Sequence, residues 1–118
     1  MSKSRSPITT HILDLNQGKP AIGVAVVLEK SSGKSNWSEL ASGKTNEDGR
    51  IEDLLEVGSK AEAGIYRLRF DTAAYFKSMK STTFFPEVTI CFEITNPAAH
   101  HHVPLLLNSH GFSTYRGT

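Results

Sequence analysis

Apolar side chains recur at every second position along much of this chain, and this period limits the possible folds more than any other feature. Val88, Ile90, Phe92 and Ile94 alternate with more polar neighbours. Because successive side chains of a strand point to opposite faces, this pattern predicts a strand with one buried face. The same criteria, with an excess of β-branched and aromatic residues, predict strands at 8–15, 22–30, 37–43 and 64–71.

The segments between these strands have turn chemistry, with one exception. Residues 46–49 read Asn-Glu-Asp-Gly, a tight turn, because Asp-Gly tolerates positive φ. Residues 72–80 are the exception and predict one short helix, with Asp71 or Thr72 as its N-cap and its two aromatic residues facing inward. Seven or eight short strands with one helix and no internal repeat predict an all-β protein, a β-sandwich.

The length of 118 residues fits one domain, predicted here at 8–118 after a flexible N-terminal segment at 1–7. A chain of this size buries only about two-thirds of its surface, so a deep internal site is hard to build. We therefore expect a shallow surface cleft or a groove walled by neighbouring subunits. Leucines at 105–107 do not alternate, which indicates a strand covered on both faces and hence association with another copy.

Charge and composition exclude several classes of partner. Thirteen basic and twelve acidic residues leave a formal charge of +1, so we expect neither nucleic acid nor an anionic membrane as partner. The longest apolar stretch, 21–28, is too short to cross a bilayer, and segment 1–7 does not make a secretory signal. Cys91 is the only cysteine, which fits a reducing compartment. A cytoplasmic protein is expected, with the peroxisome as the alternative.

The histidines are the candidates for chemistry. His11 lies in a predicted strand, where an isolated histidine is more often a packing residue than a catalytic one. Strand parity places His100 and His102 on one face and His101 on the other, so the three cannot form one metal cluster. The sequence has no zinc-ligand spacing, serine nucleophile motif or phosphate loop. No metal or cofactor is predicted, and what remains is proton transfer by histidine beside an arginine.

The last six residues, Ser-Thr-Tyr-Arg-Gly-Thr, differ from an ordinary frayed end. Tyr115 offers a rigid face with a hydroxyl, and Arg116 a planar fork of donors. Such a tail is expected to be held in a site. The alternative is a last strand whose end pairs across a dimer, with Arg116 as a simple anchor.

Four motifs in order carry a resemblance over nearly the whole chain. They are 9–14 with 18–21, then 45–50, then 100–107, and finally 113–117. Together they resemble the 5-hydroxyisourate hydrolases, also called transthyretin-related proteins. The resemblance implies an enzyme of urate breakdown that hydrolyses 5-hydroxyisourate to 2-oxo-4-hydroxy-4-carboxy-5-ureidoimidazoline without metal or organic cofactor. It also implies a sandwich of two four-stranded sheets with one short helix, assembled as a homotetramer with active sites between its two dimers.

Carried over position by position, the resemblance implies a set of site residues. The catalytic set is His11, Arg50, His102 and Thr118. The substrate-binding set is His11, Arg50, Tyr115, Arg116 and Gly117. Our hypothesis is that neutral His11 or His102 takes a proton from the attacking water while Arg50 stabilises the oxyanion. Which histidine is the base stays open, and without the resemblance Arg50 is better explained as a solvated turn residue.

The chain departs from the usual pattern of the family at three places, one of which is residues 108–110, where Ser-Pro-aromatic is frequent. His101 stands where a tyrosine is commoner, and Thr118 replaces a terminal serine with a methyl group that stiffens χ1. The rival function is a transthyretin-like carrier of small ligands without catalysis. Transthyretin has lysine at the position of His11 and lacks both His102 and the Tyr-Arg-Gly ending. A histidine-rich metal-binding module is the third alternative.

Overall fold

The computed structural model describes residues 5–118. In this part of the chain nine strands form two sheets, and there is one helix. In chain order the elements are β1 (Ile8–Asp14), β2 (Lys19–Pro20), β3 (Ala25–Gly33), β4 (Asn36–Lys44), β5 (Arg50–Ile51), β6 (Gly64–Phe70), α1 (Thr72–Ser78), β7 (Val88–Ile94), β8 (His101–Asn108) and β9 (Gly111–Thr114). The prediction of an all-β fold with one short helix is confirmed.

The two sheets differ in how their edges are built. One has the order β4-β3-β6-β7, all antiparallel. The other has the order β2-β1-β8-β9, and β5 also pairs with β1. Because β8 pairs along the whole of one edge of β1, the short strands β2 and β5 share the other edge. The second sheet therefore has five strands where four were expected, but they fill only four strand positions.

The core lies between the sheets and follows the alternation of the strands. Ile8 and Ile12 of β1, and Leu105 and Leu107 of β8, are fully buried. They pack in one cluster with Phe70 and other inward residues of the opposite sheet. Burial of each such side chain stabilises the fold by about 1.5–3 kcal/mol. The apolar inner faces thus leave the outer face of the β1–β8 pair available for polar residues.

Helix α1 begins where the sequence predicts and ends two residues earlier. Asp71 is the N-cap, and its carboxylate accepts a hydrogen bond from Ala74 N at 3.1 Å. Tyr75 and Phe76 are buried, as expected. The helix ends at Ser78, two residues earlier than predicted, shortly before Lys80 takes a left-handed φ of 56°. Residues 5–118 contain no helix with the length and apolar character needed to cross a membrane.

A buried carboxylate ties α1 to the first strand. Asp14, at the end of β1, is 1% exposed and accepts a 2.6 Å hydrogen bond from the hydroxyl of Tyr75. It also accepts from the backbone N–H groups of Asn16 and Gln17. Burial, and then the hydrogen bond to this carboxylate, raise the pKa of Tyr75. The pair therefore fixes both the helix and the turn that follows β1.

The last residues of the segment predicted to be flexible, 1–7, make contacts with the sheet. Residues 1–4 of that segment are outside the described range, but Ser6 and Pro7 are buried. Ser6 N donates to Glu52 O at 3.1 Å, and Leu55 N donates to the Ser6 hydroxyl. Pro7 O accepts from His101 N at 2.9 Å. These bonds continue the contacts of β1 with its neighbours to Ser6 and Pro7. The domain boundary at residue 8 stays a prediction.

Candidate active site

The pairing of four neighbouring chain segments brings the predicted site residues to one face of the five-stranded sheet. Arg50 of β5 pairs with His11 of β1, and His11 pairs with Pro104 of β8. His102 precedes Pro104 by two residues and therefore shares its face. Gly117 pairs with His102 across the edge of β8 that does not face β1. With strands about 4.8 Å apart, this row is about 14 Å wide from Arg50 to Gly117 at the backbone.

The turn before β5 sets the position of Arg50. Asn46 Oδ1 accepts hydrogen bonds from Asp48 N at 2.9 Å and from Arg50 N at 3.0 Å. Gly49 has a φ of +73°, and a Cβ there would lie 2.6 Å from Ile12 O. Only glycine fits, because the turn passes directly against β1, where Ile12 N donates to Gly49 O at 2.8 Å. The predicted tight turn is confirmed, and it places Arg50 beside His11.

A threonine hydroxyl connects two of the three consecutive histidines. Thr9 Oγ1 lies 2.8 Å from His102 Nδ1 and 3.0 Å from His100 Nε2. The two rings are stacked with centroids 6.3 Å apart, on the same face as the parity argument requires. A hydroxyl has one proton, so it donates to one ring and accepts from the other. If His102 Nδ1 donates to Thr9, its Nε2 is unprotonated and can act as a base.

Burial and positive charge both keep the site histidines neutral. Burial, and then the charge of Arg50, lower the pKa of His11 below its ordinary 6.5. The pKa of His102 is lowered by burial, then by Arg50 and by His11. These mutual effects mean that the three groups are close enough to interact electrostatically. At neutral pH both imidazoles can accept a proton, and Arg50 supplies the fixed positive charge.

The C-terminal tail, residues 115–118, is held against β8. Gly117 N donates to His102 O at 2.9 Å. A Cβ at Gly117 would lie 2.5 Å from Cδ2 of the His102 ring and 3.3 Å from Pro104 Cγ. Just before the tail, Thr114 Oγ1 donates to Pro104 O at 2.7 Å. The backbone at Gly117 therefore forms one wall of the site, because it lies directly on the imidazole.

The other tail residues are less closely engaged. Tyr115 is 58% exposed and, with Arg116, borders a cavity that reaches the opposite face of β8. The charge of Arg116 acts on His101 on that face. Thr118 is exposed, and its side chain has no hydrogen bond in the described part of the chain. The roles predicted for Tyr115, Arg116 and Thr118 remain predictions.

The site contains two residues that the sequence argument did not include. Thr9 and His100 complete the hydrogen-bonded group around His102. Parity could have indicated Thr9, because it lies two residues before His11 on the same strand face. His100 had been considered only as part of a metal cluster. Within residues 5–118, no group of three or more His, Cys, Asp or Glu side chains could hold a metal ion.

Comparison with known proteins gives this arrangement a family. The model described as the HIUase/Transthyretin family matches residues 8–117. The chain belongs to this family.

Among family members, a 5-hydroxyisourate hydrolase of Salmonella dublin is 48% identical over 111 residues, covering 94% of this chain and 80% of the relative. The solved structure of Klebsiella pneumoniae 5-hydroxyisourate hydrolase has a TM-score of 0.82 at 36% identity, covering 94% of this chain and 98% of that one. Sea bream transthyretin in complex with thyroxine has a TM-score of 0.87 at 30% identity, covering 96% of both chains. The fold is thus shared by enzymes and a ligand-binding protein, and the site must distinguish them.

Proposed function

We propose that this protein is a hydrolase of urate catabolism that opens the ring of 5-hydroxyisourate. Relatives at 36–48% identity carry that name over most of the chain. The observation that carries the proposal is the row formed by Arg50, His11, His102 and Gly117 on one sheet face. Neutral imidazoles beside a fixed guanidinium suit hydrolysis of a ring carbonyl without a covalent intermediate.

In the proposed mechanism, His102 Nε2 takes the proton from a water molecule as its oxygen attacks the ring carbonyl. The contact with Thr9 supports this assignment, because a bond donated by His102 Nδ1 leaves Nε2 free and stabilises the imidazolium that forms. His11 lies between this ring and Arg50 in the row and would bind the substrate. Arg50 would stabilise the oxyanion, and the imidazolium would then return its proton to the leaving ring nitrogen.

A homotetramer, a dimer of dimers, belongs to the same proposal. The catalytic row lies on an outer sheet face, which alone makes only a shallow site. Several large apolar side chains are exposed on this chain and would be covered by other copies: Leu15, Ile22, Phe84, Phe112 and Tyr115. Light scattering coupled to gel filtration would measure the mass, and a monomeric protein with full activity would contradict this part of the proposal.

The decisive experiment generates 5-hydroxyisourate from urate immediately before use and follows its absorbance decay. Wild-type protein should accelerate the decay, and His11→Ala and His102→Ala should each reduce kcat by about 10²–10⁴-fold, the range for loss of general acid–base catalysis. His110→Ala is the matched control, because His110 is an exposed histidine in the β8–β9 turn. Spontaneous decay unaffected by wild-type protein, or alanine variants as fast as wild type, would refute the proposal.

The carrier alternative is favoured by one observation, the high TM-score with a transthyretin bound to thyroxine. It predicts saturable thyroxine binding without any change in 5-hydroxyisourate decay. The metal-binding alternative predicts stoichiometric zinc by elemental analysis of the purified protein. His11, His102 and the Tyr-Arg-Gly tail are the positions where the enzyme and the carrier differ, which supports the hydrolase.

We propose the cytoplasm as the compartment of this reaction. Cys91, the one cysteine of the sequence, is exposed and forms no disulfide in the described residues. A free thiol suits a reducing environment. Fractionation of cells expressing the protein would test this. Recovery in peroxisomes would favour the alternative.

A further inference from the structure

His101 has an unusual environment on the inner face of β8. Its side chain is 6% exposed, and its Nδ1 is buried without a hydrogen-bond partner among the described residues. Most buried polar side-chain atoms in proteins have a partner. His101 is also on the opposite face of the strand from His100 and His102, so the proposed chemistry does not use it. The imidazole therefore needs another explanation.

A cavity connects this imidazole to the C-terminal tail. It has a volume of about 250 Å³ and lies between strand β7 and the tail. Ile90, Phe92 and Val103 supply its apolar lining, while His101 and the two tail residues Tyr115 and Arg116 supply polar groups. The tail thus lies over a space whose buried wall is His101.

The attachment of the tail beyond β9 is slight. After Thr114, the last residue of β9, the next backbone pairing is the single bridge between Gly117 and His102. Tyr115 and Arg116 lie between these points and are exposed. A tail fastened by one bridge is sensitive to the state of the group beneath it, because little else opposes its release.

We propose that His101 is a positioning residue, whose neutral imidazole lets the tail dock on β8 and whose protonation releases it. The inference rests on the proposed function only in that the tail is taken to bind substrate. A protonated imidazole in this place would be a buried cation beside the Arg116 guanidinium, with no carboxylate bound to it among residues 5–118. Release of the tail would relieve both the burial and the repulsion.

Most of the effects that the surroundings have on His101 lower its pKa and so favour the neutral imidazole. Burial, and then Arg116 on the tail, lower the pKa of His101, and the Ala99 backbone acts against them. From β7, Glu93 and Cys91 border the same cavity, but both residues are exposed. On β8, the rings of His100 and His102 stack on the other face, although His102 also borders the cavity. Glu93 is not among the groups that act on the pKa of His101, whereas Arg116 is.

The sign of the pH effect follows from these pKa values. The pKa of His101 is lowered in the docked state. In this proposal it rises towards its ordinary value when the tail leaves, because the charge of Arg116 and part of the burial are removed. Docking is therefore at full strength above about pH 6.5, and its equilibrium constant falls about tenfold per pH unit between 6.5 and the lowered pKa. Loss of the tail should raise KM for 5-hydroxyisourate, because the wall at Gly117 is lost.

The test compares wild type with His101→Gln and His101→Tyr between pH 5.5 and 7.5. Glutamine keeps a hydrogen-bonding group that cannot take a proton, and tyrosine fills the space with a ring that is neutral in this range. Tail release is measured by mass spectrometry as removal of the last residues by a carboxypeptidase, with all proteins digested side by side at each pH. KM and kcat are measured in parallel, and His110→Gln is the control at an exposed histidine.

Wild type should lose its tail faster, and its KM should rise more, than either variant as the pH falls. The acid dependence of kcat that comes from His11 and His102 should be the same in all four proteins. Equal pH dependence of tail release in wild type and both variants would overturn the inference, even if the protein is an active hydrolase. If wild type does not hydrolyse 5-hydroxyisourate, the digestion alone still tests whether His101 controls tail release. Failure of the proposed function and failure of this inference are therefore distinguishable.

Discussion

A methyl group at Gly117 tests whether the tail is part of the site. In Gly117→Ala the new Cβ would lie 2.5 Å from Cδ2 of His102, whereas ordinary contacts begin at 3.4 Å. Either the tail or the imidazole must therefore move by about 1 Å, and a displacement of this size can reduce a rate about 10²-fold. We expect kcat/KM for 5-hydroxyisourate to fall about 10²-fold, or about 2.7 kcal/mol of transition-state stabilisation.

The matched control is Gly111→Ala, in strand β9 of the same C-terminal region. A Cβ there has only Asn108 Oδ1 within 4 Å, at 3.7 Å, so it fits without displacement. Decay of freshly generated substrate measures both variants, and thermal unfolding checks that each is folded. If Gly117→Ala keeps the kcat/KM of the wild type, or if Gly111→Ala loses as much kcat/KM as Gly117→Ala, the argument that the tail packs against His102 is refuted.

Three further changes test the hydrogen bonds and charges around the site. Thr9→Val should lower kcat/KM about tenfold, because His102 loses a hydrogen bond of about 1–1.5 kcal/mol; unchanged kinetics would contradict the orienting role. Wild-type kcat/KM should be constant above about pH 6.5 and fall at lower pH, where His11 and His102 become protonated. Arg50→Gln should move this fall to higher pH, because it removes the cation that lowers the pKa values of both histidines. Arg50→Lys keeps the charge and should leave the position of the fall unchanged in pH–rate profiles. Tyr75→Phe should lower the free energy of unfolding by about 1.5–3 kcal/mol in urea without affecting activity, since it removes the donor to buried Asp14, which is on the opposite face of β1 from His11.

The long strands could be predicted from the sequence because burial imposes a period of two. The alternation around Ile90 and Phe92 appears in the structure as strand β7, with Ile90 buried and its neighbours exposed. Strands β2 and β5 were not predicted, because two residues carry no period. Their existence depends on the open edge of β1, which is a property of the assembled sheet.

The site could be predicted in part, and mostly through resemblance to a family. Parity alone separates His101 from its two neighbours, and the structure confirms this. The convergence of Arg50, His11 and His102 depends on parallel pairing of β1 with β8, which no local pattern encodes. For the same reason the contact of Thr9 with His102, between residues 93 apart, could only be seen in three dimensions.

Parallel pairing between β1 and β8 has a consequence for how the protein is made. On the ribosome, His102 emerges 93 residues after Thr9, its hydrogen-bond partner. At about 5–20 residues per second, the first strand waits roughly 5–20 s for its neighbour. During that interval Ile8 and Ile12 have no β8 leucines to pack against. Nascent chains of this protein should therefore be good clients for chaperones that shield apolar strands until β8 has been synthesised.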